Sequence, residues 1–184
     1  MLVDLTGDAD CMNIVLIGYR GTGKSVISRI LADTLHCQRY SIDEEIVNKI
    51  GETISQIVLH ESWSRFREIE REVVEEVATK AKNSVIDCGG GVVLDKRNVI
   101  DLKRNGKTVL LVSSLEKIIE RINRNTERPP LKKGLSFEEE HRQILAERES
   151  KYQAAADCFF DTTYLKPPQV ATKIIDFFKK KDWV

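Results

Sequence analysis

Gly18-Tyr19-Arg20-Gly21-Thr22-Gly23-Lys24-Ser25 sets glycine, lysine and hydroxyl residues at the spacing G-x-x-x-x-G-K-[ST]. The apolar run Ile14–Ile17 precedes it and the apolar-periodic stretch Lys24–Leu35 follows, so a strand feeds the loop and a helix leaves it. Glycines let backbone N–H groups turn inward around phosphate oxygens, and the helix N-terminus adds partial positive charge. In such a loop Gly21, Thr22, Gly23, Lys24, Ser25 and Val26 bind the nucleotide. Lys24 reaches the β- and γ-phosphates, and the Ser25 hydroxyl is placed to ligate Mg²⁺. The chemistry is the handling of ATP or GTP, and the chain has no N-K-x-D guanine motif.

A second set of residues is spread along the chain. Asp43 follows a short strand. Arg67 and Glu70, within Phe66-Arg67-Glu68-Ile69-Glu70, share one helix face. Gly89-Gly90-Gly91 closes another strand, Arg128-Pro129-Pro130-Leu131 lies in a polar loop, and Arg148 and Tyr152 stand one turn apart on a long helix. Singly these read as a solvated ion pair, a turn and a surface charge. Placed at successive strand ends of one phosphate-binding sheet they read as an acceptor site, because ligands of such sheets sit outside the strands' carboxyl ends.

The elements that must position them follow from apolar periodicity. Strands are predicted at Ile14–Ile17, Gln38–Tyr40, Ser84–Cys88, Lys107–Val112 and Cys158–Thr162. Helices are predicted at Lys24–Leu35, Asp43–Ile50, Thr53–Lys82, Asp95–Asn105, Ser113 to about Asn123, Ser136 to about Ala156, and Pro168–Lys180. Ser41/Glu44, Thr53/Gln56, Ser113/Glu116 and Ser136/Glu139 have capping-box spacing. Alternating strands and helices imply an α/β fold, a parallel sheet with helices on both faces. Asn123–Leu135 has no apolar period and reads as either a floppy loop or a functional lid.

The chain has 184 residues, 41% hydrophobic and 32% charged, which fits one globular domain and excludes a disordered chain, a collagen or a coiled-coil rod. Lys+Arg and Asp+Glu are both 29, so no global field favours nucleic acid or an anionic membrane; an anion must be gripped by local arginines. No apolar run approaches a membrane span. Met1–Met12 carries three aspartates and no Lys or Arg, unlike the basic start of a secretory signal. Cys11, Cys37, Cys88 and Cys158 are widely spaced, and Cys88 and Cys158 read as buried free thiols. A cytoplasmic monomer is expected.

On GYRGTGKS, Asp43, FREIE, CGGG, ERPPL and RESKY, in order, the chain from about Asn13 to Phe178 resembles the shikimate kinase family. The resemblance implies a three-layer P-loop fold on a five-stranded parallel sheet, with a substrate-binding segment at about 41–70 and a mobile lid at about 123–135. It implies transfer of the ATP γ-phosphate to the 3-hydroxyl of shikimate with Mg²⁺. By the same resemblance Asp43 takes the hydroxyl proton, Arg67 and Arg148 clamp the carboxylate, and Glu70 supports them. Gly89, Gly90 and Gly91 approach the ring, Arg128 reaches the transferring phosphate, and Arg121 lies against adenine. The stretch Thr163–Pro168 falls at the adenine loop but matches poorly. Planar bidentate arginines suit a carboxylate, which fits independently.

One position departs from the family pattern. Asp-x-Asp is usual after the second strand, whereas here it is Ser41-Ile42-Asp43; Asp87 instead ends the third strand, where a small hydroxyl residue is usual. Asp87 is therefore assigned to Mg²⁺ beside Ser25, as a strand-end acid of P-loop proteins. A kinase of another small hydroxylated acid such as gluconate, and a non-catalytic nucleotide-binding homologue, remain alternatives.

Overall fold

A computed structural model describes residues 12–122 and 134–184. Its strands are β1 (Asn13–Ile17), β2 (Arg39–Ser41), β3 (Val85–Asp87), β4 (Gly106–Val112) and β5 (Cys158–Asp161). They form one parallel sheet in the order β2-β3-β1-β4-β5. The central strand β1 is buried along its whole length, as a strand covered on both faces must be.

Alternation of side chains divides the apolar residues into two cores. Ile14 and Leu16 of β1, with Val85, Val109 and Leu111, pack under α1 (Lys24–Leu35) and α8 (Pro167–Lys180). Val15 and Ile17, with Ile86 and Leu110, face the opposite layer. That layer is α2 (Ile42–Ile50), α3 (Ile54–His60), α4 (Trp63–Lys80), α5 (Lys96–Arg104), α6 (Leu115–Ile122) and α7 (Phe137–Ala155). Each fully buried Val, Leu or Ile contributes about 1.5–3 kcal/mol relative to exposure, so the two cores hold the sheet between its helix layers.

The expected elements are present with boundaries moved by a residue or two, and three expectations need correction. The helix predicted at Thr53–Lys82 is two helices, α3 and α4. Ser62 is extended and its hydroxyl accepts the Arg65 amide at 3.1 Å, so it caps a new helix instead of continuing the old one. The cap of α6 is Ser114 and not Ser113: Ser114 accepts from the Lys117 amide, while the Ser113 hydroxyl accepts from Arg121 at 3.3 Å. Cys158 is half-buried, because β5 is an edge strand that alternates in exposure; Cys37, Cys88 and Cys158 are all free thiols. The capping boxes at Thr53/Gln56 and Ser136/Glu139 are formed in full. At Ser41 only half the box forms, since the Glu44 side chain turns to Arg39 instead. Of the lid predicted at 123–135, residues 123–133 lie outside the described residues, and Arg128 with them.

Candidate active site

The loop between β1 and α1 is held in a shape other residues resist. Gly18, Gly21 and Gly23 all have positive φ, and Gly23 is the N-cap of α1 in the left-handed region. The first-turn amides of α1, at Lys24, Ser25 and Val26, therefore open onto a cleft of about 880 Å³. Lys24 is buried, and its Nζ donates to the Gly18 and Tyr19 carbonyls at 2.8 and 2.9 Å, so the ammonium is folded over the loop it serves. Gly21, Thr22, Gly23, Lys24, Ser25, Val26 and Arg121 all line this cleft, as does Asp87.

Arg121 is placed by α6 and locked from three sides. It donates to the Gly21 carbonyl at 3.1 Å, to the Thr162 carbonyl at 2.7 Å and to the Ser113 hydroxyl. It thus ties the phosphate loop to the ends of β4 and β5. Leu165, Pro167 and Val170 add apolar surface to the same cleft, which suits a flat heterocycle.

A second, narrower pocket adjoins the cleft. Ile54, Trp63 and Phe66 give it an apolar side, and Arg67, Glu70, Arg148 and Gly89 to Gly91 the polar one. Arg67 donates to Glu70, whose carboxylate is only 1% exposed, and its guanidinium lies 4.9 Å above the Phe66 ring and 5.7 Å from that of Trp63. Burial raises the Glu70 pKa, opposed by the Arg67 charge. Arg148 donates to the Gly90 carbonyl at 2.9 Å, and the Tyr152 hydroxyl donates to the same oxygen. Burial pushes the Tyr152 pKa up to about 12, so the phenol stays a donor. A Cβ at Gly91 would displace the Arg67 guanidinium, and one at Gly89 would meet Asp43 Oδ1 at 2.9 Å, so a side chain at either position would move the site's own groups.

The cleft and the pocket share Arg20, Asp43, Gly89 and Gly90. Asp43, in the first turn of α2, stands at that junction.

Ser41 and Asp87 are directly paired across β2 and β3. Asp87 is 4% exposed; its Oδ2 accepts from Arg39 at 3.2 Å, with the Ser28 hydroxyl at 3.5 Å. Arg39 also donates to Glu44 at 2.9 Å and to the Ser28 hydroxyl at 2.8 Å. Among the described residues no three His, Cys, Asp or Glu side chains gather as a metal cage. A hydroxyl and one carboxylate lining a phosphate cleft fit Mg²⁺, which keeps several waters and takes few protein ligands.

Apart from Arg128, the nucleotide-, acceptor- and metal-site residues assigned from the sequence line these two adjoining spaces, and Tyr152 reaches them through the Gly90 carbonyl. Sequence reasoning missed Arg39, Tyr19, Trp63 and His141. Trp63 had a signal, its i, i+3 and i+4 spacing to Phe66 and Arg67; Arg39 had none, because its partner Asp87 comes from a distant strand.

The shikimate kinase family model matches residues 20–179. The chain is 39% identical to the shikimate kinase of Thermodesulfovibrio yellowstonii over 168 residues, 91% of this chain and 95% of that one. It is 37% identical to that of Caldicellulosiruptor saccharolyticus over 170 residues, covering 92% and 97%. Among solved structures, shikimate kinase from Acinetobacter baumannii in complex with shikimate superposes with a TM-score of 0.87 at 30% identity, covering 92% of this chain and 94% of that one. A glycine-framed phosphate cleft, an arginine pocket against it and these likenesses together place the chain in the shikimate kinase family.

Proposed function

We propose that this chain transfers the γ-phosphate of ATP to the 3-hydroxyl of shikimate, giving shikimate 3-phosphate and ADP. The observation that carries the reading is the shared wall of Arg20, Asp43, Gly89 and Gly90, which puts an arginine-lined acceptor pocket directly against a phosphate cleft.

The roles are those the family resemblance implies, and geometry and chemistry support them. Arg67 and Arg148 face the carboxylate, as planar forks that can each give two hydrogen bonds. Glu70 holds Arg67 in orientation. Asp43 receives the proton of the hydroxyl whose oxygen attacks the γ-phosphorus, while the bond to the ADP oxygen breaks. Lys24 exchanges its two loop carbonyls for phosphate oxygens, a swap of neutral acceptors for charged ones that favours the bound state. Ser25 and Asp87 are the residues that would hold Mg²⁺, Ser25 by its hydroxyl and Asp87 by orienting the ion's waters. When bound, the ion neutralises charge on the β- and γ-phosphates. Arg128 is assigned to the transferring phosphate by family resemblance alone. A cytoplasmic monomer stays an expectation read from the sequence; among the described residues no helix is long and apolar enough to cross a membrane.

The test is a coupled assay with purified protein, ATP, Mg²⁺ and either shikimate or gluconate. ADP release that depends on shikimate and not on gluconate is expected. Turnover with gluconate, or nucleotide binding without turnover on either, would replace the reading.

A further inference from the structure

His141, on α7, is 1% exposed, and neither of its ring nitrogens has a hydrogen-bond partner. An imidazole always carries at least one donor, and the neutral ring also carries an acceptor, so burying both unmatched is costly. Packing on its own would favour an apolar residue. The ring is held by aromatics: Phe137 lies 4.2 Å away in a tilted stack, and Tyr19 meets it edge-on at 5.8 Å. His141 is also one of the residues lining the phosphate cleft, near Arg20 and Glu140.

Its position within the cleft narrows the choice of ligand. Tyr19 is the second residue of the phosphate loop and also lines the acceptor pocket, and its own buried hydroxyl lacks a partner. Lys24 reaches to the carbonyls of Gly18 and Tyr19, so the start of the loop is the lysine's end of the cleft. His141 therefore borders the end that adjoins the acceptor, where the last phosphate of a nucleotide must lie to reach an acceptor hydroxyl. We infer that His141 is a nucleotide-binding residue, whose ring N–H donates to an oxygen of the terminal phosphate of the bound triphosphate. Burial, reinforced by the charge of Arg20, lowers its pKa, so the ring serves as a fixed neutral donor. The inference rests on reading the cleft as the nucleotide site.

The test is calorimetric titration of the parent chain, His141→Leu and His141→Gln with Mg²⁺ and either ADP or a non-hydrolysable ATP analogue, and with shikimate alone. His141→Leu is expected to weaken the analogue about tenfold, the range for a hydrogen bond to a charged group. ADP and shikimate should each stay within about twofold. His141→Gln, which keeps an N–H, should recover part of the loss. The melting temperature of His141→Leu should not fall, because the buried nitrogens are gone. An unchanged analogue affinity, an equal loss for ADP, or a loss confined to shikimate would each overturn the assignment. Ring ¹⁵N spectra of the parent chain give a reading free of mutation. His36 and His60 are exposed, so the one protected histidine is His141. Its signals should move with the analogue and not with ADP, and no movement overturns the proposal. If the parent chain binds no triphosphate at all, the nucleotide reading itself fails, which is a separate result.

Discussion

Asp87 stands where a small side chain is usual, and its neighbours show what that exchange requires. A carboxylate 4% exposed needs a counter-charge, and Arg39 provides it at 3.2 Å. Ser41, directly across the strand pair, is neutral and already spends its hydroxyl on the Glu44 amide. Asp87→Asn should therefore raise the Mg²⁺ concentration needed for half-maximal turnover and lower kcat, with Ser41→Ala costing about 1 kcal/mol of capping and little metal dependence. A Mg²⁺ titration in which the two variants exchange behaviours would mean that the ion is held from β2 instead. At the acceptor end, Arg67→Ala removes a charge-assisted contact of roughly 1.5–3 kcal/mol. The shikimate KM should rise about ten- to a hundredfold, with ATP affinity little changed. The Glu70 carboxylate would also lose its cation, so the variant should melt lower and be assayed well below that temperature. A parent-like KM would remove Arg67 from the site. Asp43, Arg67 and Arg148 were legible in the chain because family motifs mark them. Arg39 and His141 were not: each matters through a juxtaposition that only the folded sheet and α7 create.

At the scale of elements, local rules read well where start signals were strong. Lys24–Leu35 is bounded as the periodicity predicts, and the boxes at Thr53 and Ser136 close as their spacing implies. The break between α3 and α4 escaped because nothing punctuates it. No Gly or Pro lies near Glu61 and Ser62, apolar residues recur on both sides, and Arg65, three residues past Ser62, cannot complete a capping box. The break matters to function, since it starts α4 at Trp63 and so aims Trp63, Arg67 and Glu70 into one pocket. Ser62→Ala should cost about 1 kcal/mol, whereas Ser62→Gly should cost only a few tenths. For a chain of this size that is about 2–4 °C in Tm for the alanine variant. Equal melting of the two variants in a thermal scan would mean the cap does not hold the break.

At the scale of the whole molecule, alternation of apolar runs was enough to imply a parallel sheet, whereas the strand order needed the fold itself. The edge strand β5 depends on an ionic fastening at its base. Asp157 Oδ2 accepts from the Thr108 amide at 2.7 Å and from its hydroxyl at 2.8 Å, and Lys103 lies 2.8 Å from Oδ1. Burial pushes the Asp157 pKa up, but Lys103 and the Thr108 hydrogen bonds more than offset this and leave it lowered. A carboxyl more acidic folded than unfolded adds stability above its unfolded pKa, near 3.8, and loses it as pH falls through the lower folded value. Acid melting curves should show Tm falling below about pH 4. Asp157→Asn should lower Tm at neutral pH and flatten that acid slope; an unaltered slope would mean that other carboxylates carry it.

The wall common to the phosphate cleft and the arginine pocket has a bearing on inhibitor design. Arg20, Asp43, Gly89 and Gly90 line both spaces, so a cyclic carboxylate in one and the end of a polyphosphate in the other would lie against the same four residues. A single molecule joining the two would need a tether of only a few atoms, passing along these four residues. Once one half is seated, the other is held at an effective concentration in the millimolar range, and affinity can exceed that of either half by roughly 10²–10⁴ with no new contact. Selectivity would then come from the tether's length as much as from its ends, since only a protein with this same thin junction accepts both halves at once.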